Sequence, residues 1–222
     1  MKYTCCEEIM WHLMAPGSLR FLSEQGWDAF SLKRKAKAVY HQMVARTPGI
    51  GGPGGNSLHI CLAAGMVWLS IYEAAEGKME EACFGAMVGA GMTRPIIKAF
   101  YQGKATSVFT LEAQKKRAAN AVRDNAAPGG DFNWQAEVLL GRDAEEYTIL
   151  YHRCGLCALG RQEGLPKLVK YLCALDTMSI GWMGGVLYRT QTLATGGSCC
   201  DFYICKKGSK WDTEHRKGEP LC

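Results

Sequence analysis

The side chains best able to do chemistry cluster in the last third of the chain. They are His152-Arg153-Cys154-Gly155, then Cys157, Cys173-Ala-Leu-Asp176, Arg189-Thr190-Gln-Thr192, and Cys199-Cys200-Asp201-Phe202. Thiols supply nucleophiles or soft metal ligands, a carboxylate exchanges protons, and an arginine fork grips anions in two places. Three residues separate Cys173 from Asp176, so on a helix they share a face. Cys154 and Cys157 have the C-x-x-C spacing of zinc and redox sites. No second C-x-x-C follows at zinc-finger spacing, and the aromatic and proline context of a thioredoxin site is missing. Cys200, flanked by Phe202 and Ile204, also fits a small core hydrophobe. His12, His41 and His59 read as surface or satisfied core histidines, whereas His152 adjoins Arg153 and Cys154 at a strand end.

These residues need a scaffold, and the hydrophobic pattern supplies one. Phe132, Trp134, Ala136, Val138 and Leu140 alternate with polar residues, which predicts a half-buried strand over 132–140. Gly141-Arg142-Asp143 makes the turn, and a second strand over 145–153 puts Tyr147, Ile149 and Tyr151 on one face. Helices are predicted over 156–162 and 166–181, the second with Pro166 at its start. Strands over 186–195 and 199–206 flank a turn at Gly196-Gly197-Ser198. That hairpin would set Thr192 and Leu193 opposite Cys200 and Asp201, and a one-residue slip would exchange the faces of the last two. The order ββααββ implies an antiparallel sheet covered on one face.

Before residue 126 the chain reads as helical. Asp28 caps a helix in which Phe30, Val39, Tyr40 and Met43 supply apolar contacts and Lys33, Arg34, Lys35 and Lys37 take the wet side. After Gly49-Ile-Gly-Gly-Pro-Gly-Gly55, Asn56 or Ser57 starts a helix that should be buried nearly all round. The glycine loop lacks the Lys-Ser/Thr of a phosphate-binding loop and reads as a lid or a close-packing turn. A third helix over 78–92 carries Gly85, Gly89 and Gly91, which permit close backbone approach. A polar helix covers 105–123, with Lys115, Lys116 and Arg117 on its solvated face. The breaker Ala127-Pro-Gly-Gly130 then divides a helical subdomain, 1–126, from a sheet subdomain, 127–222, the two forming one α+β unit. Residues 208–222 read as a loose tail.

The 222 residues are 48% apolar and 21% charged, a composition that folds. The net charge of +5 is spread along the chain without the basic stripe that nucleic-acid binding needs, and it suits a small anionic substrate. Glu7 and Glu8 stand where a secretory signal would be apolar, and eleven cysteines leave an odd thiol, so free thiols in a reducing, cytoplasmic setting are expected. The longest uncharged stretch, 47–72, leaves about 15 helical residues against the roughly 20 of a bilayer span, so no membrane is expected. A homo-oligomer is compatible with this reading.

The linear order of the motifs resembles the L-2-amino-thiazoline-4-carboxylic acid hydrolase family. An aromatic strand ends in Arg153-Cys154, a helix carries Cys173 and Asp176, and Arg189 to Gly197 and Cys200-Asp201-Phe202 follow. The likeness covers residues 132–206, and more loosely 56–91. Gly155 stands where the family is expected to have proline, and Cys157 and Cys199 are additions to the pattern. The resemblance implies ring opening of a small anionic heterocycle such as 2-amino-thiazoline-4-carboxylate to N-carbamoyl-cysteine, without a cofactor. It assigns Cys200 as nucleophile, Asp176 with Cys173 beside it as acid and base, and His152 as a base for the thiol. Arg153 or Arg189 would clamp the substrate carboxylate, with Thr190, Asn56 and Cys154 as further substrate contacts. A metal held by Cys154, Cys173, Asp176 and Cys200, or a non-catalytic ligand-binding or thiol-sensing role, are the competing expectations.

Overall fold

The computed structural model describes residues 1–218. The helical half runs through α1 (Cys5–Glu24), α2 (Ala29–Arg46), the single turn α3 (Gly52–Gly55), α4 (His59–Ala74), α5 (Glu81–Met92), α6 (Pro95–Gln102) and α7 (Leu111–Asn125). Strands β1 (Gln135–Leu140) and β2 (Glu146–Arg153) follow, then α8 (Gly155–Gln162) and α9 (Val169–Trp182), then β3 (Gly185–Tyr188), β4 (Cys200–Lys206) and α10 (Lys210–Gly218). The fold is α+β, and its four-stranded antiparallel sheet has the order β1-β2-β4-β3.

Local chemistry explains the helix starts. Thr4 and Glu7 close a capping box on α1 and satisfy donors the first turn leaves unpaired. Asp28 caps α2 by accepting from the Ser31 amide. Along α2 the inward stripe is Leu32, Ala36, Tyr40 and Met43, whereas Phe30, expected inside, is 83% exposed because the helix period turns it outward. α4 is buried on almost every side, as its uncharged sequence requires, and no described helix is long and apolar enough to cross a membrane. α7 starts at Leu111 rather than 105 because Thr110 caps it, accepting from the Ala113 amide.

The principal core joins both halves: Trp68, Leu69 and Met87 from the helices meet Trp134, Leu159 and Leu172 from beyond residue 127. The glycine loop is a packing turn, with Ile50 fully buried and Gly51 at φ +97°. A Cβ on Gly129 would lie 2.6 Å from the Ile50 side chain, so this glycine lets the two breaker segments touch. A smaller core lies on the inner sheet face, where Tyr147, Ile149, Cys200, Phe202 and Ile204 meet Ile180 of α9.

Two expectations give way here. The predicted hairpin is shorter: β3 ends at Tyr188, paired with Tyr203, and residues 189–199 form a loop. The Asp201 carboxylate causes this by accepting from the Thr190 and Gln191 amides and the Thr190 hydroxyl, which fixes the chain away from a ladder. Residues 208–218 are not a loose tail. Trp211 is buried and donates to Asp143, and Asp212 takes the Tyr188 hydroxyl at 2.7 Å, which docks α10 on the sheet. The part of that segment beyond 218 lies outside the described residues.

Candidate functional site

The register settles which hairpin residue faces inward. Cys200 pairs with Tyr151 across the strands and is buried on the inner face, while Asp201, opposite Leu150, is held by the 189–191 loop. Above that face α9 presents Asp176. Arg189 Nη1 lies 3.2 Å from Asp176 Oδ2, its Nη2 donates to the Cys173 carbonyl at 3.1 Å, and its guanidinium stands 5.4 Å from the Phe202 ring. Asp176 opens onto a cavity of about 500 Å³ between α1, α4, α6, α8 and α9, with walls that include Cys61, Trp68, Ile97, Tyr101 and Leu172. That volume suits a small organic ligand.

Burial in this apolar setting pushes the Asp176 carboxyl up to about 6, although Arg189 pulls the other way. The side chain is nonetheless 39% exposed, because it lies deep in the protein yet faces the open cavity. Its charge reaches the surrounding thiols. Burial, reinforced by Asp176, raises Cys173 to about 12, and Cys61, exposed toward the cavity yet deep in the protein, is raised to about 12 by the same causes. Cys200 rises to about 11 through burial, even though its sulfur accepts from the Leu193 amide at 3.2 Å.

Cys154 behaves oppositely. It is the N-cap of α8, and its pKa is lowered, first by the Cys157 thiol, which donates to it, and then by the Cys157 and Leu156 amides, despite burial and the Asp176 charge. The side chain closes no capping hydrogen bond, so these amides act on the sulfur as the oriented dipoles of a helix start. Donation to Cys154, together with burial, raises Cys157 strongly. Cys154 is thus the sulfur of this group whose pKa is lowered, while Cys61, Cys157, Cys173 and Cys200 are raised.

Gly155 explains its own departure from the expected proline. A Cβ there would meet the Phe132 carbonyl at 2.2 Å and the Trp134 ring at 2.6 Å, so the β1 approach leaves no room for a side chain.

Cys154, Cys173, Asp176, Arg189 and Cys200 thus share one neighbourhood. Others of the expected set do not join it. His152 points to the outer face, 53% exposed, with Nε2 3.6 Å from the Glu137 carboxylate. Asn56 is buried and fully used: its amide donates to Asn133 and its carbonyl accepts from the Leu58 amide. Thr190 serves the Asp201 turn, and Arg153 donates to the Asn133 carbonyl. Sequence reasoning missed Cys61 and Tyr101, which look like ordinary core residues of apolar helices, and it placed Arg117 on a wet face.

A metal set is not preformed among these thiols. Among the described residues, the potential ligand atoms that gather within 4.8 Å of one another belong to Cys6, Glu7 and His59. Both Glu7 oxygens are already engaged there, one by His59 Nε2 at 2.7 Å and the other by the Thr4 capping box, which makes this a structural brace.

A helical half laid over the inner face of an antiparallel sheet, with thiols and one carboxylate between them, defines an α+β protein with a thiol-and-acid cleft. The chain belongs to the L-2-amino-thiazoline-4-carboxylic acid hydrolase family, whose model matches residues 61–204. The matched segment begins at Cys61 and contains every member of the cleft named above. Neither the curated proteins nor the solved structures contain a match to the chain.

Proposed function

We propose that the protein is a hydrolase that opens a small cyclic amidine such as 2-amino-thiazoline-4-carboxylate to N-carbamoyl-cysteine. The observation that carries this reading is Asp176, whose pKa is pushed up to about 6, facing an apolar cavity, with Cys154, the thiol whose pKa is lowered, close enough to feel its charge.

The amidine carbon becomes electrophilic when the ring nitrogen is protonated, and a carboxyl titrating near neutrality is suited to deliver that proton. Cys154 sulfur attacks this carbon, the ring carbon–sulfur bond breaks, and the departing sulfur leaves as the product thiol after taking a proton. The enzyme then carries the amidine carbon on Cys154 sulfur. Water adds to that carbon, Asp176 accepts its proton, and the Cys154–carbon bond breaks to release the carbamoyl group. The sum is one water consumed and one thiol formed. Arg189 is a positioning residue, since it holds the Asp176 carboxylate and the Cys173 carbonyl. Cys200, the cross-strand partner of Tyr151, is buried on the inner face with its thiol raised to about 11, so in this reading Cys154 takes the nucleophile role that the motif suggested for Cys200.

Incubation with 2-amino-thiazoline-4-carboxylate should yield N-carbamoyl-cysteine, identified by mass, in step with new free thiol. Intact, folded protein that yields neither would rule out this substrate.

A further inference from the structure

A second cavity, of about 430 Å³, lies over the same inner face between α7 and strands β1 and β2. Its walls include Val138, Ile149, Tyr151 and Trp134, and Lys104 and Arg117 reach it from the helical half. The charges there do not cancel. Arg117 stacks its guanidinium 4.3 Å from the Tyr147 ring centroid, and its Nη1 is buried with no hydrogen-bond partner. Lys104 rests its ammonium 3.9 Å from the Phe100 ring centroid, and burial, followed by the nearby Arg117 charge, lowers its pKa. Asp124, the carboxylate among the described lining residues, is already taken by Arg123 and by the Ser57 amide and hydroxyl. Three cations, Arg117 with Lys104 and Lys116 at the exposed rim, therefore line one partly open cavity, with a buried Arg117 donor left unmet, an arrangement that proteins seldom retain without an acceptor to complete it.

We propose that this cavity binds the carboxylate of a small organic molecule, with Arg117 as the fork, Lys104 as the second charge and the Trp134 and Tyr151 rings against the molecule's body. A planar carboxylate supplies the acceptor that Arg117 Nη1 lacks, and an arginine fork matches it in two places. The volume admits a five-membered heterocycle with its substituents. Two sources share this chemistry: the carboxylate of the hydrolase's own substrate, or a separate carboxylate ligand. The site itself does not depend on the hydrolase reading.

The test is calorimetric titration of thiazole-4-carboxylate, which has no amidine to open, against uncharged thiazole. Wild type, Arg117→Gln and Lys104→Gln are compared, with thermal melts to confirm the fold. Wild type should bind the carboxylate at least about tenfold more tightly than thiazole, and either variant should lose most of that preference. Failure of wild type to discriminate, or retention of the preference in both folded variants, overturns the proposal. The source is read from steady-state kinetics of the same variants on 2-amino-thiazoline-4-carboxylate. A KM raised about tenfold with little change in kcat assigns the site to substrate, and unchanged kinetics with lost binding assigns it to a separate ligand. Absence of turnover in wild type together with charge-selective binding would sink the hydrolase reading and leave the site standing.

Discussion

Tyr151 and Cys200 are cross-strand partners on the inner sheet face, and this pairing fixes which residues of β4 face inward. Because side chains alternate along a strand, it sends Asp201 away from the cleft and commits that carboxylate to the loop that follows β3. Asp176 of α9 is the carboxylate whose charge reaches the inward-facing Cys173 and Cys200.

Thiol reactivity should sort by environment. Cys154 is the thiol held below its ordinary range, whereas Cys61, Cys173 and Cys200 are pushed above theirs. Alkylation by iodoacetamide, mapped by mass spectrometry at pH 6.5 and 8.5, should slow at Cys154 much less than at Cys173 and Cys200 as the pH falls. Comparing each thiol with itself removes differences in access.

The pH dependence of stability carries the signature of Asp176. Its folded pKa, about 6, lies above the ordinary aspartate value, so the fold favours the protonated form and stability from this group declines as pH rises through that window. Asp176→Asn should therefore be more stable than wild type at pH 7.5, with the difference vanishing by about pH 4. The gain should not exceed about 1 kcal/mol, because the carboxylate is screened where it faces the cavity. Urea unfolding of both proteins across pH 4–8 reads it.

Glu7 should show the opposite sign. Burial works against its charge, but hydrogen bonds from Thr4 and His59 outweigh that and lower its pKa, so its stabilisation is present at neutral pH and lost as pH falls through the folded pKa. Glu7→Gln should cost about 1–3 kcal/mol at pH 7, narrowing below about pH 4. Parallel denaturant titrations at the two pH values check both parts.

Gly155→Ala should cost about 2–4 kcal/mol, since the new methyl meets a backbone carbonyl and an indole that cannot both withdraw. A loss below about 0.5 kcal/mol in denaturant unfolding would contradict this account of the position.

Much of this architecture was legible in the chain. The alternation of Tyr147, Ile149 and Tyr151 located β2 and its inner face, and the spacing of Cys173 and Asp176 put both on α9. What escaped was set by side chains acting on the backbone or by contacts distant in sequence. The strand expected through Thr195 stops at Tyr188 because Asp201 draws in the Thr190 and Gln191 amides, which alternation cannot reveal. Arg117 was hidden by its exposed neighbours Lys115 and Lys116. Its position three residues after the fully buried Gln114 places it on the inward side of α7, a helical spacing that could have exposed it. The helix expected over 156–162 is α8, and its start at Gly155 makes Cys154 the N-cap, a role the chain's spacing already allowed.

The central claim is that Cys154 attacks and Asp176 moves the protons. The most direct measurement is kcat/KM for 2-amino-thiazoline-4-carboxylate in wild type, Cys154→Ser, Cys200→Ser and Asp176→Asn, each confirmed folded. The account predicts a loss of at least about a thousandfold for Cys154→Ser, roughly a hundredfold or more for Asp176→Asn, and less than about tenfold for Cys200→Ser. Activity that survives in Cys154→Ser, or that disappears in Cys200→Ser, would contradict it.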